Sequence, residues 1–255
     1  MDFNGENREN LGLKILASRH RAERLSTAST AFDSILGGGI ATCAVTDIYG
    51  AAGTGKTQFA FQCSLLVSQL WTKEEKIGPA LRVAFVDCAG SFRPERIAQM
   101  ADARGMSNET HSILESISAI NVRSVSEQTE ASERILSREE FSKCKLIVVD
   151  DVTRNFVSEY GTESALISRQ HELAIYARNL AYLALSKKAA VLLTNSVRST
   201  MDGNEKETTG SAISQFSLFR IHFRRYAGRR HAEVLQPLNT NRKCDFEIET
   251  SGIVP

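Results

Sequence analysis

At 255 residues the chain is long enough for one α/β core with a short leader, and 42% apolar against 24% charged residues is the balance of a globular domain, not of a disordered or fibrous chain. A net charge of +1 neither requires nor excludes a polyanionic partner, so any nucleic-acid footprint has to come from local clustering. The five cysteines (Cys43, Cys63, Cys88, Cys144, Cys244) form no C-x-x-C pair and read as reduced thiols of a cytoplasmic protein, and no run reaches the ~18 apolar residues of a membrane span.

In chain order, residues 1–10 are polar and carry too little apolar surface to offset ordering entropy, so 1–24 reads as a leader and linker and 25–255 as one domain. From Ala44 onward short apolar runs alternate with longer amphipathic segments. AVTDIY (44–49) predicts a strand, 56–71 a helix, RVAFVD (82–87) a strand and 94–104 a helix whose Pro94 suits its first turn. A strand near 117–123, a helix near 127–139, the strand LIVVD (146–150), a long helix near 163–187 and the strand AVLLTN (190–195) follow. The alternation predicts an α/β fold, a mostly parallel sheet flanked by helices on both faces. Near the C-terminus, LFRIHFRRY, a turn at Ala227 and Gly228, and RRHAEVLQP predict an antiparallel hairpin on the sheet edge, with Phe219, Ile221 and Phe223 inward and Arg220, His222 and Arg224 outward.

Residues 50–57 read G-A-A-G-T-G-K-T, a GxxxxGK[ST] loop directly between a strand and a helix. Gly50, Gly53 and Gly55, with Ala51, Ala52 and Thr54 between them, let successive backbone N–H groups turn onto phosphate oxygens, and the helix N-terminus adds its positive dipole. Lys56 is expected to reach the β and γ phosphates of ATP, and Thr57 to place its hydroxyl on Mg²⁺. Asp150, closing LIVVD, is the expected second partner of that metal through a water molecule. Asp151 faces the other way on an alternating strand and takes a solvent or capping role.

Several ordered blocks carry a resemblance: STASTAFDSILGGGI (26–40), DIYGAAGTGKTQ (47–58), VDCAGSFRPERI (86–97), LIVVDDVT (146–153) and RQHELAIYARNLAYLALSKKAAVLLTN (169–195). They are similar to blocks of archaeal RadA and its eukaryotic recombinase relatives, over nearly the whole chain after residue 25. The resemblance implies a RecA-type ATPase core in DNA repair and homologous recombination. It also implies contact with single-stranded DNA through two loops, near 153–167 and 197–214, and a RadA-type recombinase or a paralog as partner in a homo- or hetero-oligomer. It places Arg96 near the adenine, where the bland alternative is an exposed helix arginine. No helix-hairpin-helix domain precedes the core, as in shorter paralogs such as archaeal RadB, and LKILA (13–17) is a weak stand-in for a Phe-x-x-Ala polymerisation motif.

Two departures bear on chemistry. Ala89 stands where the family carries the glutamate that orients the attacking water, and Ser196 stands where it carries a glutamine coupling nucleotide state to the second loop. The residues that hold nucleotide remain, so the reading is an ATP binder with weak or absent hydrolysis. An active strand-exchange ATPase, with Asp151 as substitute carboxylate, and a scaffold that binds proteins instead of DNA are the alternatives.

From Arg198 to Lys243 nine Lys/Arg face four Asp/Glu, 9 − 4 = +5, against +1 for the whole chain. Arg198, Arg220, Arg224, Arg225, Arg229 and Arg230 are therefore the candidate phosphate contacts, with Tyr226 a stacking platform. The competing reading is an edge strand that carries cations only to block aggregation. The first loop, with Glu159 and Glu163 and only Arg154 in support, is poor in base for a DNA contact.

Overall fold

The computed structural model describes residues 22–74, 81–199, 205–207, 211–237 and 242–255. The leader up to residue 21, LKILA within it, and much of the second expected loop lie outside the described residues.

Two short strands, β1 (Arg24–Leu25) and β2 (Ile40–Ala41), bracket helix α1 (Thr30–Leu36) and pair with each other. The main sheet then builds by strand–helix alternation through β3 (Ala44–Gly50), α2 (Lys56–Glu74), β4 (Val83–Asp87), α3 (Pro94–Ala103), α4 (Thr110–Glu115), β5 (Ile117–Asn121), α5 (Val125–Ser137) and β6 (Leu146–Asp150). It continues through α6 (Arg154–Glu159), α7 (Leu166–Lys187), β7 (Ala190–Ser199) and β8 (Glu205–Glu207), and ends with β9 (Phe219–Tyr226), β10 (Arg229–Gln236), β11 (Lys243–Glu249) and β12 (Gly252–Val254). The strand order is β12-β11-β10-β9-β3-β7-β6-β4-β5, with β8 paired to β7. Every pairing from β9 through β3 to β5 is parallel, and β9 to β12 and β7 to β8 are antiparallel. The sheet is thus mostly parallel and helix-flanked, as its alternation predicts.

Both faces are covered, which explains the unbroken apolar runs of the central strands. Leu146 and Val148 join one core with Phe32, Phe59, Phe85 and Phe223, and Ile147 and Val149 join the other with Phe156, Leu173, Tyr176 and Leu180.

The C-terminal hairpin differs from expectation. Ala227 and Gly228, at φ 50° and 83°, do form its turn. Its first strand, however, lies beside β3, and β11 and β12 extend the sheet beyond β10. Because β9 is interior, its second face is covered too. Arg220 and His222, expected outward, lie beside Asp47 and Tyr49 of β3 in register. His222 is buried and stacks on Tyr49 at 4.5 Å between ring centroids.

Candidate nucleotide site

The parallel strands β3, β4, β6 and β7 end at one edge of the sheet, where open α/β folds place their ligand sites. Gly50 ends β3 with φ 155°, and a Cβ there would collide with the carbonyl oxygen of Phe223 on β9. Gly55 takes φ 112°, and a Cβ would lie 3.0 Å from Ile248 Cδ1. Packing against the added strands, as well as phosphate approach, thus requires these two glycines. Within the loop, Thr54 is buried and its hydroxyl donates to the Ala51 carbonyl at 2.9 Å. Lys56 is buried rather than projecting: its Nζ donates to the carbonyls of Gly50 at 2.7 Å and Ala51 at 2.9 Å.

From the start of α2, Thr57 Oγ1 meets both carboxylate oxygens of Asp150, at 3.1 and 3.0 Å. Asp150 also accepts from Ser91 Oγ at 2.6 Å and from the Thr194 hydroxyl. Burial pushes its carboxyl above the ordinary range and the three hydroxyl donors pull it part of the way back. Such a charge, buried without a cationic partner among its hydrogen bonds, is suited to a divalent cation, which would offset the desolvation cost. Asp151 takes its expected capping role, accepting from the backbone N and hydroxyl of Thr153 at 3.1 and 2.8 Å. Sequence reasoning missed Asp87, at the end of β4 in register with Asp150. Its carboxylate accepts from the backbone N of Ala89, Ser91 and Phe92 at 3.0–3.1 Å and so shapes the loop that presents Ser91.

A cleft of about 360 Å³ runs along this edge, lined by Ala52, Gly53, Gly55, Lys56, Thr57, Gln58, Ala89, Asp150, Asp151, Arg154, Thr194, Ser196 and Ile248. It gathers the phosphate loop, the Thr57–Asp150 pair, Ala89 and Ser196. Ser196 lies beside Gly50 in the strand register. The donors fit Mg-ATP: a glycine loop with a lysine for phosphate, and a hydroxyl and a carboxylate for a hard cation. When bound, the nucleotide would bring the phosphoryl group that such a cation polarises.

Arg96, expected near the adenine, is held in place by side-chain and backbone acceptors. Its Nε donates to Gln58 Oε1 at 2.8 Å, and its terminal nitrogens donate to the carbonyls of Thr250 and Glu249 at 2.9 and 2.6 Å and to Gln99. It ties α3 to the β11–β12 turn and does not line the cleft.

The arginines expected at DNA divide. Arg220 is withdrawn from that role: its Nε lies 3.0 Å from Asp47 Oδ2, its guanidinium lies 4.4 Å from the centre of the Tyr49 ring, and 13% of its side chain is exposed. Arg224 donates to His222 Nδ1 at 2.8 Å and lies 3.7 Å from Glu233. Arg225, Tyr226 and Arg229 are exposed at the hairpin tip, and Arg230 is half-buried opposite Arg225. Arg198 lies in β7 opposite Lys206, its side chain outside the described set. β9 runs parallel to β3 and passes it, since Gly50 pairs with Phe223, so the tip arginines project from the same sheet edge as the cleft. Of the two expected loops, the first holds α6 and the start of α7. The second begins as the β7–β8 ribbon.

The Rad51 family model matches residues 18–255. The chain is 32% identical over 248 residues to the DNA repair and recombination protein RadA of Cenarchaeum symbiosum, covering 95% of this chain and 61% of that protein. It is 33% identical over 246 residues to the meiotic recombination protein DMC1 of Saccharomyces cerevisiae, covering 92% and 72%. A RadA of Methanococcus voltae is 30% identical over 256 residues, covering 95% and 79%. A phosphate loop and a strand-end aspartate joined through Thr57, on a helix-flanked parallel sheet matched over nearly its whole length, place the chain in the Rad51 family of RecA-type proteins.

Proposed function

We propose that this chain is a recombination accessory protein in DNA repair, a RecA-type paralog that binds Mg-ATP as a conformational switch, hydrolyses it weakly, and acts on single-stranded DNA with a RadA-type recombinase or another paralog. The names of its relatives support the setting. The observation that carries the reading is the composition of the cleft, in which Lys56, Thr57 and Asp150 converge while position 89 offers only a methyl group. Glycine-loop amides, Lys56 and the helix start hold the phosphates, and Thr57 with Asp150 holds the cation. No side chain at position 89 can accept a proton from water, so a bound nucleotide persists.

ATP titration and turnover, each with and without single-stranded DNA, test this. Tight Mg-dependent binding with turnover far below that of a recombinase supports it, and robust turnover by the wild type overturns it. Lys56→Ala is expected to weaken ATP binding by roughly thirtyfold, the loss of about 2 kcal/mol of charge-assisted hydrogen bonding to phosphate. Nucleotide titration checks this, and unchanged affinity would sink the phosphate-loop assignment. Its contacts to Gly50 and Ala51 imply some loosening of the free loop as well.

For DNA, exposed Arg225 and Arg229 are the informative pair, because Arg224 also positions His222. Reversing both to glutamate is expected to flatten the salt dependence of single-strand binding by roughly 0.7 log–log unit for each phosphate no longer neutralised. A salt series of binding isotherms reads the slope directly. An unchanged slope makes the hairpin tip a solvated turn only.

A further inference from the structure

Arg154, on the segment whose family position suggests DNA, opens on the nucleotide cleft instead. It lines that cleft together with Lys56 and Thr57 of the phosphate-loop helix and with Ala89, Asp151 and Ser196. Strand β6, which delivers Arg154, lies two places from β3, which delivers the phosphate loop, with β7 between them. At about 4.8 Å per strand the two strand ends are ~10 Å apart, room for a phosphoryl group between two cations.

Nothing among the described residues accounts for a cation there. Arg154 is exposed, and among the described residues its guanidinium makes no hydrogen bond or ion pair. The neighbouring carboxylate, Asp151, is engaged by Thr153. Position 154 is the first residue of α6, where a positive side chain meets the positive end of the helix and gains nothing from it. Three other arginines show what commitment looks like in this fold: Arg220 is paired with Asp47, Arg96 with the β11–β12 turn and Arg24 with the carbonyls of Leu36 and Gly39. With alanine at 89, that neighbour offers no carboxylate to neutralise Arg154. A planar guanidinium, open to a phosphate cleft and uncommitted, matches an anion with several oxygens in a plane or fork.

We propose that Arg154 is a sensor of the terminal phosphate: it contacts the γ-phosphoryl oxygens of ATP from the β6 side of the cleft, and so ties α6 and residues 160–165 to the triphosphate state. ADP leaves this guanidinium without its partner. The inference rests on the proposed binding of ATP in the phosphate loop. It adds a residue that distinguishes ATP from ADP, and a means for a protein of low turnover to hold two states.

The test measures Mg-ATP and Mg-ADP affinities for the wild type, Arg154→Ala and Arg154→Lys, with backbone hydrogen exchange over 154–165 in each nucleotide state. Expected is a loss of tenfold or more in ATP affinity for Arg154→Ala, ADP affinity within twofold of wild type, and partial retention for Arg154→Lys, which keeps the charge but not the fork. ATP, and not ADP, is expected to slow exchange over 154–165, and only when Arg154 is present. Equal weakening of both nucleotides, or of neither, overturns the sensor role while leaving the phosphate loop standing. If the wild type binds neither nucleotide, the phosphate-loop reading falls and the sensor falls with it.

Discussion

Arg220→Leu is expected to lower the stability of the fold by about 3–5 kcal/mol, the range found when one partner of a buried ion pair is removed and the other charge stays behind. Asp47 is fully buried in the middle of β3, and Arg220 supplies its cation from the adjacent strand at 3.0 Å while packing over Tyr49. Leucine would bury Asp47 without that charge. The companion change Asp47→Leu with Arg220→Leu is expected to recover most of the loss, because a well-packed apolar pair avoids the desolvation cost of both ions. Urea unfolding of the two single variants and the double variant gives the coupling directly. A single-variant loss below roughly 1 kcal/mol, the range of exposed pairs, would show that water screens this one.

Ala89→Glu is expected to raise ATP turnover on the order of a hundredfold, since that is what a positioned general base contributes at its lower end. The geometry favours the change. The backbone N of Ala89 is held by Asp87 at 3.1 Å, and the residue lines the cleft with Lys56 and Asp150, so a longer side chain enters the site without rebuilding the loop. Adding Ser196→Gln is expected to make hydrolysis respond to single-stranded DNA, because Ser196 joins the cleft wall to the β7–β8 ribbon. Steady-state phosphate release with and without DNA checks both variants. Wild-type turnover that is already fast, lost on Asp151→Ala and indifferent to position 89, would assign the chemistry to another carboxylate.

How much of the fold and site is legible in the sequence follows from what each residue must satisfy. The phosphate loop can be read because strand, glycines, Lys56, Thr57 and helix are contiguous, and LIVVD because a strand buried on both faces has to be apolar throughout. Ser91 and Thr194 cannot be read, since they reach Asp150 across 59 and 44 residues of sequence and only the strand order brings them together. Asp47 does carry a signal: a carboxylate inside an apolar strand demands a partner. That signal, joined to Arg220, would have placed β9 beside β3. Without it, alternating cations and apolar residues predict an edge strand with one wet face. The contacts of Arg96 illustrate the same limit, because the carbonyls of Glu249 and Thr250 reach it across more than 150 residues of sequence.

The aromatic side chains between these elements set what can move. Phe32, Phe59, Phe223 and Phe246 interlock at centroid distances of 4.8–5.9 Å, welding α1, the phosphate-loop helix, β9 and β11 into one block. In the proposed switch the arginine tip of the hairpin is therefore the anvil, tied through Phe223 of β9 to the helix that starts at the phosphate loop. The hammer has to be on the opposite bank of the cleft, where α6 and the β7–β8 ribbon lie outside this aromatic weld. A nucleotide-driven stroke of that proposed switch would thus press a strand of DNA against the basic ridge instead of carrying the ridge to the DNA.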